Sequence, residues 1–321
     1  MNLKKLLIQM KRYSGNLPIT EFLLLKDGLL ISTDLDVFVE AEVPFEGTGL
    51  IPVDKLKQIT DKNDVTKLYI QDEFAIIETP KGQFKIQVVD NTEDFPGYER
   101  TFGEPFSFTL DKEIKDLKHF VQNGHNDRFK GVHFGENGEV AATDAHKIKW
   151  LQRGVKGDKI VPKQLFTLPN GDYKVSFSET HGKFQMGDVS FIIRTIDATF
   201  PDYRPVIPEQ KSNPIRFKAD RKELIEQVEN CLIGANKDAP VVEINGRGLL
   251  RSFDIDFGTE YKGQVKSESN EAFEIAFHAA HLLQILKTST IDQMEFKIAD
   301  NIKAVLINED VFLLPVVQHK Y

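Results

Sequence analysis

Three stretches of the chain place apolar residues at helical spacing. LKKLLIQMKRYSG puts Leu3, Leu6, Leu7 and Met10 on one stripe, and ADRKELIEQVENCL does the same with Leu224, Val228, Cys231 and Leu232. TLDKEIKDLKHFVQ, from Thr109, carries a comparable stripe, so each segment predicts an amphipathic helix. The segments that follow switch to alternation of β-branched and aromatic residues. FLLLKDGLLISTDLDVFVEAEVP reads as strands turning at Asp27-Gly28, and GVHFGENGEVAATDAHKIKWLQ as strands turning at Asn137-Gly138.

The pattern then repeats. IPVDKLKQIT from Ile51 leads into KLYIQDEFAIIETPKGQFKIQVV and DFPGY; VPKQLFTLP from Val161 leads into DYKVSFSETHGKFQMGDVSFIIRTI and FPDY. A third copy begins with FHAAHLLQILKTS, continues through QMEFKIAD and IKAVLINED, and closes on FLLPVV. Each copy is a short helix followed by a strand meander, which predicts duplicated units. The fold class is therefore α+β, in three repeated domains over residues 1–104, 105–210 and 211–321, divided where Pro, Gly and charge cluster near Glu104 and Gln210.

Composition narrows the class. No apolar run approaches the ~18 residues that a membrane span needs, and the amphipathic N-terminus lacks a small-residue cleavage site. With the single cysteine, Cys231, which excludes an internal disulfide and suits a packing role, this predicts a cytoplasmic protein with no membrane partner. The net charge of -8 argues against a uniformly basic nucleic-acid binder. Its distribution changes the picture. Six helical windows, residues 2–13, 53–63, 111–123, 162–168, 220–232 and 277–288, hold 14 basic and 9 acidic residues, leaving 27 basic and 40 acidic for the rest of the chain. Positive charge gathers on the helices, as expected of a surface that meets phosphates.

Taken together, the helix-meander repeats, the DGLLISTDLD opening, the AATDAHKI strand and turn, and FPDYRPVIP before the third unit resemble the bacterial β sliding clamp family, across essentially the whole chain. The chain is shorter than most members, lacks the usual first strand before its first helix, and carries Ala145 and Pro205 where a glycine and a basic residue are commoner. These departures mark a divergent lineage and leave a cellular or a phage origin open. The resemblance implies a homodimeric ring with helices lining a central pore and antiparallel sheets outside. It also implies sequence-independent binding of double-stranded DNA, and a hydrophobic groove between domains 2 and 3 that takes short peptides of the polymerase and the clamp loader. By resemblance the groove residues are Thr143, Ala145, His146, Lys147, Ile148, Pro201, Val206, Leu313, Leu314 and Pro315. Pro201, Pro205 and Pro208 would stiffen the FPDYRPVIP wall. The DNA-facing residues are Lys4, Lys5, Lys11, Arg12, Lys55 and Lys62, with Arg128 and Lys130 from the loop GHNDRFKGV.

Two other classes were weighed. A repeat scaffold without a DNA role would explain the duplication but not the charge asymmetry. A hydrolase using Asp144 and His146, which strand alternation would place on one face, lacks a signalled Ser or Cys nucleophile. His278 and His281 at i, i+3 suggest metal ligands but lack a third, and no HExxH, CxxC or GxxxxGK occurs. The reading is thus a non-enzyme with no catalytic residue, no cofactor and no metal.

Overall fold

The computed structural model describes residues 3–15, 17–26, 28–89, 91–206 and 214–316. The chain forms two compact units. One comprises Met1–Lys112, Phe134–Gly138 and Arg153–Asp197; the other comprises Glu113–His133, Glu139–Gln152 and Ala198–Tyr321. The middle of the three expected segments contributes strands to both.

The first unit is built on an eight-stranded antiparallel sheet. Its order is Gly49–Pro52, Phe22–Lys26, Leu29–Thr33, Val37–Glu42, Val189–Arg194, His181–Met186, Gly171–Phe177, Phe106–Leu110. Two meanders join where Val37–Glu42 pairs with Val189–Arg194, in a register that sets Val39 opposite Phe191. Val189 to Ile193 are all buried, because the sheet is covered on both faces. Phe191 meets Tyr13 and Tyr173 at ring separations of 5.9 and 6.4 Å on one face. On the other, Ile192 packs with Leu24, Ile31, Phe38, Leu50 and Phe95, and Tyr98 and Phe102 lie over that cluster. Each such side chain contributes roughly 1.5–3 kcal/mol on burial.

Helices α1 (Leu3–Arg12) and α2 (Val53–Lys62) pack together in this unit. They bury Leu6, Leu7 and Met10 on α1, and Val53, Leu56 and Ile59 on α2. The three-stranded sheet Lys67–Gln71, Phe74–Thr79, Gly82–Gln87 completes the unit.

The second unit repeats the plan. Its large sheet includes, in order, Glu139–Thr143, Lys147–Gln152, Val311–Leu313, Val305–Ile307, Gln293–Ile298, Ile215–Asp220 and Ser267–Ser269. Here Lys147–Gln152 pairs with Val311–Leu313, placing Ile148 opposite Phe312. A four-stranded sheet runs Thr259–Gln264, Leu249–Asp254, Val241–Asn245, Glu274–His278.

The expected helix from Thr109 is mostly not α. Helix α3 covers only Lys112–Asp116 and tightens into a 3-10 turn over Leu117–His119. The reason is periodicity: Ile114, Leu117 and Phe120, all fully buried, recur every three residues, which a 3-10 turn aligns and an α-helix does not. The segment expected to be helical after Val161 is likewise a 3-10 turn, Lys163–Thr167, confined between Pro162 and Pro169. Helices α4 (Arg221–Gly234) and α5 (Ala279–Thr288) form and pack together as the spacing requires. Asp220 caps α4 by accepting from the backbone N–H of Lys222 and Glu223 at 2.9 and 3.0 Å. Cys231 is fully buried, and burial pushes its thiol up to about 11, in keeping with a packing role.

Both units contain the same turn. Leu35 N–H donates to Thr33 Oγ1 at 2.9 Å, and Asp36 and Val37 N–H donate to Asp34 Oδ1 at 3.1 and 2.8 Å. Ala145 donates to Thr143 at 3.1 Å, and His146 and Lys147 donate to Asp144 at 3.0 and 2.9 Å. The third residue of each turn is left-handed, with φ of 79° at Leu35 and 76° at Ala145. A glycine in that place would avoid the Cβ clash.

Leu35 is exposed, so Leu35→Gly removes the clash without emptying core. The relief is partly offset by the greater freedom of glycine in the unfolded chain, and a net gain of about 0.5–1 kcal/mol is expected. A higher thermal unfolding midpoint than wild type would be measured by circular dichroism; a lower midpoint would show that the turn is unstrained.

Candidate functional site

The turn at Asp144 corrects one expectation. Asp144 and His146 do not alternate along a strand; they sit in a turn between Glu139–Thr143 and Lys147–Gln152. The Asp144 carboxylate is fully engaged there. Beyond the two backbone N–H groups on Oδ1, its Oδ2 pairs with the Lys147 ammonium and lies 3.5 Å from His281 Nδ1. Lys147 is itself buried, with its Nζ 3.1 Å from His281 Nδ1 and 5.7 Å from the centre of the Phe120 ring. The carboxylate is thus an anchor for the turn.

Beside this turn opens an apolar cavity of about 230 Å³. It is lined by Thr143, Ala145, His146, Lys147, Ile148, Pro201 and Leu314, seven of the ten groove residues expected from the sequence. The lining also includes Phe129, Asp202, Tyr203, Ala304 and Phe312, which were not among them. Leu313 is 1% exposed and packs into the sheet, whereas Leu314 is 42% exposed and its N–H donates to the His146 carbonyl at 2.9 Å. Strand alternation carries the distinction: Phe312 and Leu314 share a face and Leu313 opposes them. Pro315 is half-buried and does not line the cavity. Val206 ends a short 3-10 turn, Arg204–Val206, and its side chain lies outside the described residues, as does Pro208.

The FPDYR wall is held by aromatic stacking and one acid. Phe200 stacks on His133 at 4.5 Å, and Tyr203 lies 6.0 Å from Trp150, which stacks on Phe312 at 4.8 Å. The Tyr203 hydroxyl donates to Glu139 at 2.6 Å, and Arg204 approaches the same carboxylate at 3.5 Å. Burial, and then the Glu139 carboxylate, raise the Tyr203 phenol above its usual range. DFPGYER does the same in the first unit: Tyr98 donates to Glu40, with Arg100 at 4.0 Å. The echoed words are two copies of one anchor.

The basic residues are distributed unevenly. Lys5, Arg12, Lys55 and Lys62 are exposed on α1 and α2. Lys4 keeps its charge while donating to the Asp61 carbonyl at 2.9 Å, whereas Lys11 pairs with Asp54 at 3.0 Å, so the Lys11 part of the expected positive face is neutralised within the helix pair. Arg128 is exposed on the 3-10 turn Asp127–Phe129, while Lys130 pairs with Asp127 at 2.6 Å.

His278 and His281 do meet, with ring centres 4.4 Å apart, and His146 is 5.3 Å from His281. Among the described residues no group of three or more His, Cys, Asp or Glu is placed to hold a metal ion, and no helix is long and apolar enough to cross a membrane.

The chain matches no protein-family profile. It is 24% identical to the beta sliding clamp of Pseudomonas aeruginosa over 312 residues, covering 87% of this chain and 84% of that protein. It is also 24% identical to the beta sliding clamp of Vibrio cholerae over 334 residues, covering 92% and 90%. Among solved structures, the DNA polymerase sliding clamp of Pseudomonas aeruginosa with ligand superposes with a TM-score of 0.79 at 21% identity, over 99% of this chain and 98% of that one. The sliding clamp of Bartonella birtlesii bound to griselimycin superposes at 0.74 with 23% identity, over 98% and 97%. The chain has the sliding-clamp fold, and its sequence is similar at low identity to those of β sliding clamps.

Burial, and next the Lys147 ammonium, hold the His281 imidazole down at about 4 against an ordinary 6.5. The unfolded chain therefore takes up this proton first as pH falls, and stability present above pH 6.5 is lost progressively down to about 4. His281→Gln is expected to flatten that loss by on the order of 2 kcal/mol. Urea midpoints at pH 7.5, 5.5 and 4.5 check it: parallel profiles for the two proteins would show that His281 is not the acid-sensitive group.

Proposed function

We propose that the chain is a DNA sliding clamp: two copies close head to tail into a ring around duplex DNA, and the groove beside the Asp144 turn tethers a polymerase to it. The observation that carries this reading is the match of 99% of the chain to the sliding-clamp fold at a TM-score of 0.79. In this reading the chain is organised as three clamp domains, residues 1–104, 105–210 and 211–321, in keeping with the threefold recurrence of helix and meander. It carries no catalytic step and works in the cytoplasm.

The ring needs an interface, and two features support one. Ile233, Phe253, Ile255 and Phe257 of the second unit are 80%, 53%, 82% and 83% exposed, and Phe253 and Ile255 line one pocket with Glu260 of the edge strand Thr259–Gln264. Large apolar side chains left exposed in this way mark a docking surface rather than a solvent surface. In the first unit, Gly82–Gln87 is also an edge strand and carries the exposed Phe84. Unpaired strand edges recruit one another across chains, and two different edges give the head-to-tail contact that closes a ring.

Lys4, Lys5, Lys11, Arg12, Lys55, Lys62, Arg128 and Lys130 supply the DNA contacts in this reading. They meet phosphates without reading bases, which leaves binding weak and salt-sensitive, as sliding demands. Peptides dock on Thr143, Ala145, His146, Lys147, Ile148, Pro201 and Leu314, with Leu313 acting from beneath as support. Rigid proline and aromatic walls reduce the ordering cost of binding.

The double variant Ile255→Asp/Phe257→Asp tests the ring. Wild type is expected to scatter light as twice 36.6 kDa and to stay on nicked circular DNA until the circle is cut. The variant is expected to be monomeric and to fall off. A wild-type monomer, or a variant that still dimerises and stays on circles, would overturn the assembly.

Leu314→Ala tests the groove separately. A peptide from the tail of the cognate polymerase is expected to lose about 2 kcal/mol or more of affinity, since a few buried anchors dominate such contacts. The mass in solution should not change. Equal peptide affinity for both proteins would remove Leu314 from the groove.

A further inference from the structure

We propose that the first unit carries a second peptide-docking face, filled in cis by the chain's own strap at residues 96–105. When the strap lifts, the face takes in trans a protein segment with the same aromatic spacing, a tyrosine followed four residues later by a phenylalanine. The proposal stands on the geometry of the first unit and depends neither on a ring nor on DNA.

The two units match at the sheet face concerned. In the second, the strand after the Asp144 turn sets Ile148 opposite Phe312, and both line the cavity. In the first, the strand after the Asp34 turn sets Phe38 opposite Ile192 at the equivalent register. The covering differs. Tyr98 stands with its ring centre 4.8 Å from that of Phe38, and Phe102 packs on the cluster that holds Phe38 and Ile192. Aromatic side chains of the strap therefore sit where the second unit leaves a cavity.

The strap is held as a docked peptide is held. Among the described residues, residues 96–105 pair in no strand, and one backbone hydrogen bond ties them to the sheet, from the Gly103 N–H to the Phe177 carbonyl at 2.9 Å. Side chains supply the other ties. The Tyr98 hydroxyl donates to Glu40, and the Thr180 N–H and hydroxyl donate to Glu99 at 3.3 and 3.1 Å. Two aromatic anchors with little main-chain pairing make a short-peptide contact, in which the anchors carry most of the binding. Lifting the strap leaves no buried charge unpaired, because Glu40 keeps the Lys183 ammonium at 3.7 Å when Tyr98 departs. A segment with so few backbone bonds opens locally, without global unfolding. Opening bares Phe38, Ile192 and their apolar neighbours, a surface that calls for a new cover. The strap itself shows which chemistry fits: a phenol that reaches Glu40 and a phenyl ring four residues on.

The test uses the full chain and the labelled peptide acetyl-Gly-Tyr-Glu-Arg-Thr-Phe-amide, with a control in which both aromatics are alanine. Tyr98→Ala/Phe102→Ala empties the face of its anchors, and both side chains are only partly buried, so the sheet stays intact. Fluorescence anisotropy is expected to show the aromatic peptide binding this variant roughly tenfold or more tightly than wild type, where the tethered strap competes at an effective concentration on the order of millimolar. The control peptide should not bind. Adding Leu314→Ala should leave the affinity unchanged, and adding Glu40→Gln should weaken it. Equal affinity for variant and wild type, no binding to the variant, or loss of binding with Leu314→Ala would each overturn the second face. Hydrogen exchange of the wild-type protein decides independently of any variant. The Gly103 amide is expected to exchange by a local opening that low urea does not accelerate, while the amides of Val189–Arg194 follow global unfolding. Exchange of Gly103 only through global unfolding would show that the strap never lifts.

Discussion

The Asp144 carboxylate is the point on which the groove depends. It accepts two backbone N–H groups that shape the turn, neutralises the buried Lys147 ammonium, and stands beside His281 on α5. A buried ammonium without its partner leaves an uncompensated charge in an apolar setting, a cost of about 3–5 kcal/mol. The turn in turn presents the His146 carbonyl to the Leu314 N–H, so one acid fixes both the floor of the cavity and the strand end that closes it.

The matching turn at Asp34 shows what is general and what is particular. It has the same Thr-Asp hydrogen bonds and the same left-handed third residue, and it precedes a strand that pairs with a strand of the next meander. Only the second unit adds a buried lysine behind the turn and histidines from a neighbouring helix. There the sheet face beside the turn is left partly open as a lined cavity. In the first unit, Phe95, Tyr98 and Phe102 pack over the corresponding apolar face. One ancestral design thus yields a sealed face and an open one, and the difference lies in which side chains fall on it.

Amphipathic helices α1, α4 and α5 were legible because their stripes reach the ~10 residues needed for an α-helix to be specified by its buried face. The helix expected from Thr109 was misread because Ile114, Leu117 and Phe120 fit two periods, and only packing chose the tighter turn. Most of the cavity lining was legible through AATDAHKI and FPDYR, since both are turn-forming words with fixed geometry. Phe312 was missed although alternation with Leu313 would have found it. Phe129 and Ala304 carry no local signal, because each reaches the cavity from a distant part of the chain.

The sequence by itself determined the class of the protein, its repeats and its turn chemistry, since these depend on residues close together along the chain: helical spacing, strand alternation, and side chains that bond their own backbone. Tertiary structure alone decided which charges survive on the surface. Lys11 loses its charge advantage to Asp54 on the neighbouring helix, and Lys147 and His281 meet across 134 positions. Desolvation depends on direct burial and Coulomb attraction weakens with distance and is screened over about 10 Å, so no count of charges along the chain can stand in for knowing which of them touch.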